Sequence, residues 1–88
     1  MKELKKNFTK DGVQRKRMFK DAELVAYRCE RGKRFWYELF RNKVGEPDIF
    51  NEDEYEIYPT EEDFDEGVWA WRMDNGKAVV DIIDGHYS

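Results

Sequence analysis

The chain has little of what usually carries chemistry or imposes covalent order. Cys29 is the single cysteine among 88 residues, so an intramolecular disulfide is excluded. His86 is the single histidine. A zinc site takes about four nitrogen or sulfur ligands, and these two residues fall short of it. The six glycines are scattered, so no glycine-rich loop is present to cradle a phosphate. No apolar stretch of about 7–15 residues follows the basic start Met1-Lys2-Glu3-Leu4-Lys5-Lys6, so no secretory signal is visible. No segment approaches the ~20 apolar residues of a membrane span. The expectation is a soluble, cytoplasmic protein with no cofactor, no metal and no membrane association. Asn7-Phe8-Thr9 has the form of a glycosylation sequon, which without a secretory signal is read as coincidence.

Charge is what the chain has in excess, and it is split. Residues 1–43 hold 14 Lys/Arg and 6 Asp/Glu; residues 44–88 hold 2 Lys/Arg and 14 Asp/Glu. A net charge of −4 therefore hides a basic half and an acidic half. Such asymmetry bears on steering and partners rather than on fold. With 41% charged residues, disorder has to be weighed. Against it stand six Phe, five Tyr and three Trp, which fall in alternating segments. A chain this short buries only about 60–65% of its unfolded surface, and large aromatic side chains compensate. The reading is one domain over residues 1–88, with residues 1–12 loosely ordered.

Periodicity places the elements. Leu4 and Phe8 fit a short helix or a strand, and Asp11-Gly12 marks a turn. Residues 13–20 read as a strand whose Lys and Arg content suits a sheet edge. Residues 22–30 and 34–42 are rich in strand formers and are joined by a turn at Arg31-Gly32. Phe35, Tyr37 and Leu39 share one face of the second of these strands, and Trp36, Glu38 and Phe40 the other. Ile49 and Phe50 are expected to tuck an acidic loop onto the body. Tyr55-Glu56-Ile57-Tyr58 reads as a short strand ended by Pro59. Thr60 is a candidate N-cap for a single acidic turn stopping at Gly67. Val68 to Met73 alternates, which puts Trp69, Trp71 and Met73 on one face. Asn75-Gly76 favours a hairpin, but the pairs Ala78/Val79 and Ile82/Ile83 have helical spacing. The spacing predicts a helix over 75–84, with Asp74 as its cap, Gly85 at its end, and Val79, Ile82 and Ile83 on one stripe.

Candidate chemistry is thin. A Cys29–His86 nucleophile pair has nothing to orient the histidine, and a buried structural thiol is the better reading. Asn51-Glu52-Asp53-Glu54 and Glu61-Glu62-Asp63 offer weak attraction to hard cations but lack an EF-hand pattern. Glu38 and Glu56 as an acid–base pair give way to solvent-facing strand glutamates. No catalytic residue is assigned. Arg15, Arg17, Lys20, Arg31, Lys33 and Arg34 are the candidate nucleic-acid-binding residues, with Trp36 and Phe40 as stacking surfaces beside them. Arg31-Gly32-Lys33-Arg34-Phe35 departs from the RNA-recognition-motif octapeptide, because Lys33 stands where an aromatic follows the glycine. The acidic half suggests the opposite role, a mimic of a phosphate backbone.

The segments Phe35-Trp36-Tyr37-Glu38-Leu39-Phe40, Tyr55-Glu56-Ile57-Tyr58-Pro59, Asp63-Phe64 and Val68-Trp69-Ala70-Trp71 resemble a group of small uncharacterised bacterial proteins of similar length, found in mobile or accessory genomic regions. The resemblance spans roughly residues 20–85. It implies a β-rich domain closed by a C-terminal helix and carries over no functional residues.

These readings converge on an α+β fold: an antiparallel sheet of four to five strands with a C-terminal helix packed on one face. The alternative is all-β with a C-terminal hairpin. The expected core is Val25, Tyr27, Phe35, Tyr37, Leu39, Trp69, Trp71 and Ile82. The expected function is a non-enzymatic binding module with a protein partner. The alternatives are a nucleic-acid accessory protein using the basic half and an acidic nucleic-acid mimic using the other.

Overall fold

The computed structural model describes residues 2–47, 49 and 53–87, with His86 and Tyr87 described by backbone alone. Two hairpins start the chain. β1 (Asn7–Lys10) and β2 (Val13–Lys20) are joined by Asp11-Gly12, whose φ values are 55° and 76°. Positive φ at both central residues is the type I′ geometry, whose twist matches that of the strands it joins. β3 (Leu24–Arg31) and β4 (Arg34–Arg41) are joined by Gly32-Lys33, with Gly32 at φ 61°. There follow β5 (Val44–Gly45), β6 (Tyr55–Glu56), α1 (Glu61–Glu66), β7 (Ala70–Met73) and α2 (Gly76–Tyr87).

The main sheet has the order β1-β2-β3-β4-β7 and is antiparallel throughout; β5 and β6 pair separately. The fold is thus α+β with the C-terminal helix on one face of the sheet, and the all-β alternative is excluded. Residues 7–10, in the stretch expected to be loose, form the outermost strand. β2 is not an edge: it lies between β1 and β3, and its cations are distributed over both faces.

Capping explains both helices. Thr60 and Asp63 form a reciprocal capping box, and Gly67 closes α1 in the left-handed region at φ 63°. Two satisfied ends extend the expected single turn to six residues. At α2 the cap is Asn75 rather than Asp74. Its side chain accepts from the Lys77 N–H at 2.9 Å, and its carbonyl accepts from Ala78 and Val79. The helix runs on through Gly85.

The sheet separates two cores. On the helix side, Leu24, Ala26 and Leu39 pack with Val79, Trp71, Met73 and Ile83. On the loop side, Val25, Tyr27, Cys29 and Phe40 are covered by Phe8, Tyr58, Phe64 and Trp69. Rings there meet edge to face, as between Phe40 and Trp69 at 6.4 Å or Phe8 and Tyr27 at 5.3 Å. Such pairs contribute about 0.5–1.5 kcal/mol beyond their buried area.

Trp69 and Trp71 do not share a face. Val68 and Trp69 form a bend ahead of β7, which takes Trp69 out of the strand alternation and into the loop-side core. Trp71 joins the helix side and is only half-buried, as is Tyr37. Phe35 and Ile82, expected in the core, are 52% and 44% exposed. The helix covers β4 and β7 but does not reach Phe35 near the far end of β4, and Ile82 sits on the flank of the helix. Ile49 is 91% exposed, so it does not tuck its loop down; Phe50 lies outside the described residues. β6 ends at Glu56, and one further backbone bond, from the Ile57 N–H to the Lys43 carbonyl at 2.9 Å, extends its pairing with the chain ahead of β5.

Candidate binding site

The six cations singled out in the sequence do not converge. Arg15 is buried, Arg17 half-buried opposite Tyr27, and Lys20 half-buried opposite Val25. Arg31, Lys33 and Arg34 are exposed at the β3–β4 turn. Arg31 lies six residues beyond Val25 on the same strand, about 20 Å away by strand rise. Register thus separates Lys20 from the turn arginines by most of the sheet's length. The two stacking candidates also part: Phe40 is fully buried, while Trp36 is half-buried.

Arg15 instead anchors an internal polar cluster on the loop side. Its Nε donates to Glu38 Oε1 at 3.1 Å and to the Tyr58 hydroxyl at 2.6 Å. Its Nη1 donates to the Lys10 carbonyl at 3.0 Å. The Tyr58 hydroxyl also donates to Glu38 Oε1. The rings of Phe8 and Tyr58 flank the guanidinium at 5.6 and 5.3 Å. Burial works against the charge of Arg15, but Glu38 and Tyr58 outweigh it and hold its pKa above the ordinary value. Burial and the neighbouring Glu38 push the Tyr58 hydroxyl far up.

Glu56 is the second buried carboxylate. It accepts from Lys20 Nζ and from the Leu4 N–H, both at 2.9 Å. Burial would raise its pKa, but the Lys20 and Leu4 hydrogen bonds prevail and lower it. Both glutamates expected to face solvent are therefore internal and tied to cations. Cys29 is also fully buried, and burial pushes its thiol up to about 12. Its partner in the expected nucleophile pair, the His86 side chain, lies outside the described residues, as do Asn51 and Glu52 of one acidic cluster. Among the described residues no group of three or more His, Cys, Asp or Glu could hold a metal ion.

At the turn end of the sheet lies an open cleft of about 530 Å³. Arg31, Arg34 and Trp36 form one part of its lining, and Arg72 and Glu61 another. Arg72 donates to both oxygens of Glu61, at 2.7 and 2.9 Å, and lies 3.5 Å from Glu38 Oε2. The hydrogen bonds from Arg72 hold the Glu61 carboxyl below its ordinary range. Asp11 and Asp74 complete the cleft. Among the described residues Arg31 and Arg34 make no ion pair.

No protein-family model, curated protein or solved structure matches this chain.

The cleft was only partly legible in the sequence. Arg31 and Arg34 stand out beside their glycine turn, but Arg72 is 38 positions further on in an acidic stretch. Its place next to Arg15 and Glu38 comes from the pairing of β7 with β4, where Arg72 stands opposite Glu38. Among the described residues no helix is long and apolar enough to cross a membrane.

Proposed function

We propose that this protein is a non-enzymatic, cytoplasmic binding module whose partner is another protein, engaged through the cleft of Arg31, Arg34 and Trp36. The observation that carries this reading is the cleft's mixed charge. The guanidiniums of Arg31 and Arg34, which make no ion pair among the described residues, stand in the same concavity as Asp11 and Asp74, beside an aromatic ring. Mixed-sign hydrogen-bonding groups around a Trp and Arg pair suit a protein segment, where such residues are frequent binding anchors.

A polyanion is less well served. Nucleic-acid affinity rests on an uninterrupted cationic surface that neutralises several phosphates. Here Arg15 is internal, Lys20 is neutralised by Glu56, and the turn cations share their cleft with carboxylates. The reading as non-enzymatic is supported by the internal placement of Cys29, Glu38 and Glu56, which act in packing and pairing.

The test compares two titrations at physiological salt, one with peptides selected by display on the immobilised chain, one with random single- and double-stranded DNA and RNA. The expectation is peptide binding that weakens by about tenfold in an Arg31→Ala, Arg34→Ala double variant, the scale of one or two charged hydrogen bonds. Nucleic-acid binding that falls steeply with salt, without peptide binding, would replace this reading with the nucleic-acid one.

A further inference from the structure

We propose that the outer edge of β1 accepts an extended segment of a partner protein as a sixth strand of the main sheet, and that the segment alternates apolar and acidic side chains. This rests on the protein-binding reading and adds a surface separate from the cleft.

β1 is the last strand of the sheet. The Arg17 N–H donates to the Lys6 carbonyl, which makes Lys6 and Arg17 a hydrogen-bonded pair. Antiparallel pairing alternates, so Phe8/Arg15 and Lys10/Val13 are the next bonded pairs. The backbone groups of Asn7 and Thr9 therefore point away from the sheet. Among the described residues no hydrogen bond reaches them, and both residues are exposed. No proline or bulge interrupts Asn7–Lys10, so its outward backbone groups can pair with a strand whose charge complements its lysines.

Both flanks of this edge are concave. On the loop side Leu4, Phe8 and Tyr58 line an apolar hollow of about 380 Å³. On the helix side Asn7, Thr9, Gln14 and Lys16 line a second hollow of about 400 Å³, whose far wall is the ion pair of Arg28 with Glu30 at 2.8 Å. Successive side chains of an added strand point to opposite faces, so one set would enter the apolar hollow and the other would face Lys16 across Asn7 and Thr9. Residues 2–10 carry four lysines against one glutamate, which selects acidic over basic side chains. The same lysines repel the identical edge of a second copy, which disfavours self-pairing.

The probe is an acetylated decapeptide alternating valine and glutamate, titrated against the isotope-labelled chain. Binding in the millimolar range or tighter is expected, with amide shifts centred on Asn7 and Thr9. Thr9→Pro removes an outward N–H but no bond to β2, so the fold should persist. This variant should bind at least about tenfold more weakly, while Thr9→Ala binds as the parent does. Should Thr9→Pro unfold, two N-methylated peptides decide. Methylation of the alternate amides that face β1 should abolish binding, and methylation of the other set should leave it intact. Undiminished binding by a folded Thr9→Pro chain, equal binding by both methylated peptides, or no binding would overturn the inference. Shifts centred on Arg31, Arg34 and Trp36 would overturn the edge but keep the protein-binding reading. Binding of nucleic acid alone would overturn that reading too.

Discussion

The Arg15 guanidinium and the Glu38 carboxylate meet 3.1 Å apart inside the loop-side core, with side chains 4% and 0% exposed. Arg15 stands opposite Cys29, and Glu38 opposite Tyr27, so the pair crosses β3 diagonally. Two charges so placed are held by their mutual attraction and by the hydrogen bonds to Tyr58 and the Lys10 carbonyl. Removing one partner leaves an uncompensated buried charge.

Arg15→Met alone, or Glu38→Leu alone, should cost about 3–5 kcal/mol of stability in urea unfolding. Replacing Arg15, Glu38 and Tyr58 together by Met, Leu and Phe should recover most of that, since an apolar cluster needs no partners. If the triple variant is as unstable as the single ones, the cluster is held by shape rather than by charge pairing. A charge reversal at Arg15 accordingly reports on folding, not on binding.

Acid should loosen the tie between the N-terminal segment and β6. The folded-state pKa of Glu56 is depressed, so its stabilising contribution is complete above the ordinary value of 4.5 and is lost as pH falls through the lower folded value. Urea midpoints should fall as pH drops below about 4.5. Glu56→Gln should be less stable at neutral pH by about 1.5–3 kcal/mol and show a flatter acid slope. Equal slopes for the two chains would count against this assignment.

Base should destabilise the protein by the opposite route. Burial, with Glu38 nearby, raises the Cys29 thiol from 9.0 to about 12, and burial raises the Tyr27 hydroxyl to about 12. Their contributions are complete below the unfolded pKa values and are lost as pH rises toward 12. Stability should therefore decline above about pH 9, less steeply in Cys29→Ala. The native thiol should react with an aromatic disulfide reagent only as fast as the chain opens. A rapid native-state reaction would mean that Cys29 is accessible.

Gly45 and Tyr55 are partners in the small sheet, and the Tyr55 ring lies against the glycine. A Cβ at position 45 would fall on that ring. Gly45→Ala should cost about 1–3 kcal/mol, the range for overpacking, and should shift the Tyr55 ring signals in the NMR spectrum. A neutral substitution would show that the ring moves aside freely.

The parts of the fold governed by local periodicity were readable. The Leu24–Arg31 and Arg34–Arg41 hairpin and the terminal helix follow from strand formers around a glycine turn and from apolar pairs four apart. Asp11-Gly12 also carried more information than a bare turn: this dipeptide between alternating segments is a hairpin signal, and it would have moved β2 off the edge. What stayed hidden depends on long-range pairing. Trp69 and Trp71 alternate in sequence but part at a bend, which no two-residue period can register. Arg15 looks like its neighbours Lys16 and Arg17 until Glu38, 23 positions away, and Tyr58, 43 away, are brought beside it. The free edge at Asn7 and Thr9 depends on hydrogen-bond phase, which follows from the register of the hairpin.

Backbone amide hydrogen exchange in the uncomplexed protein tests the open edge of β1 most directly. The Phe8 and Lys10 amides point into the sheet and those of Asn7 and Thr9 point out. Protection should alternate along the strand, with Asn7 and Thr9 exchanging near the rate of an unstructured chain and gaining protection when an extended acidic partner is added. Protection of all four amides in the free chain would contradict it, because it would mean that the edge already has its strand.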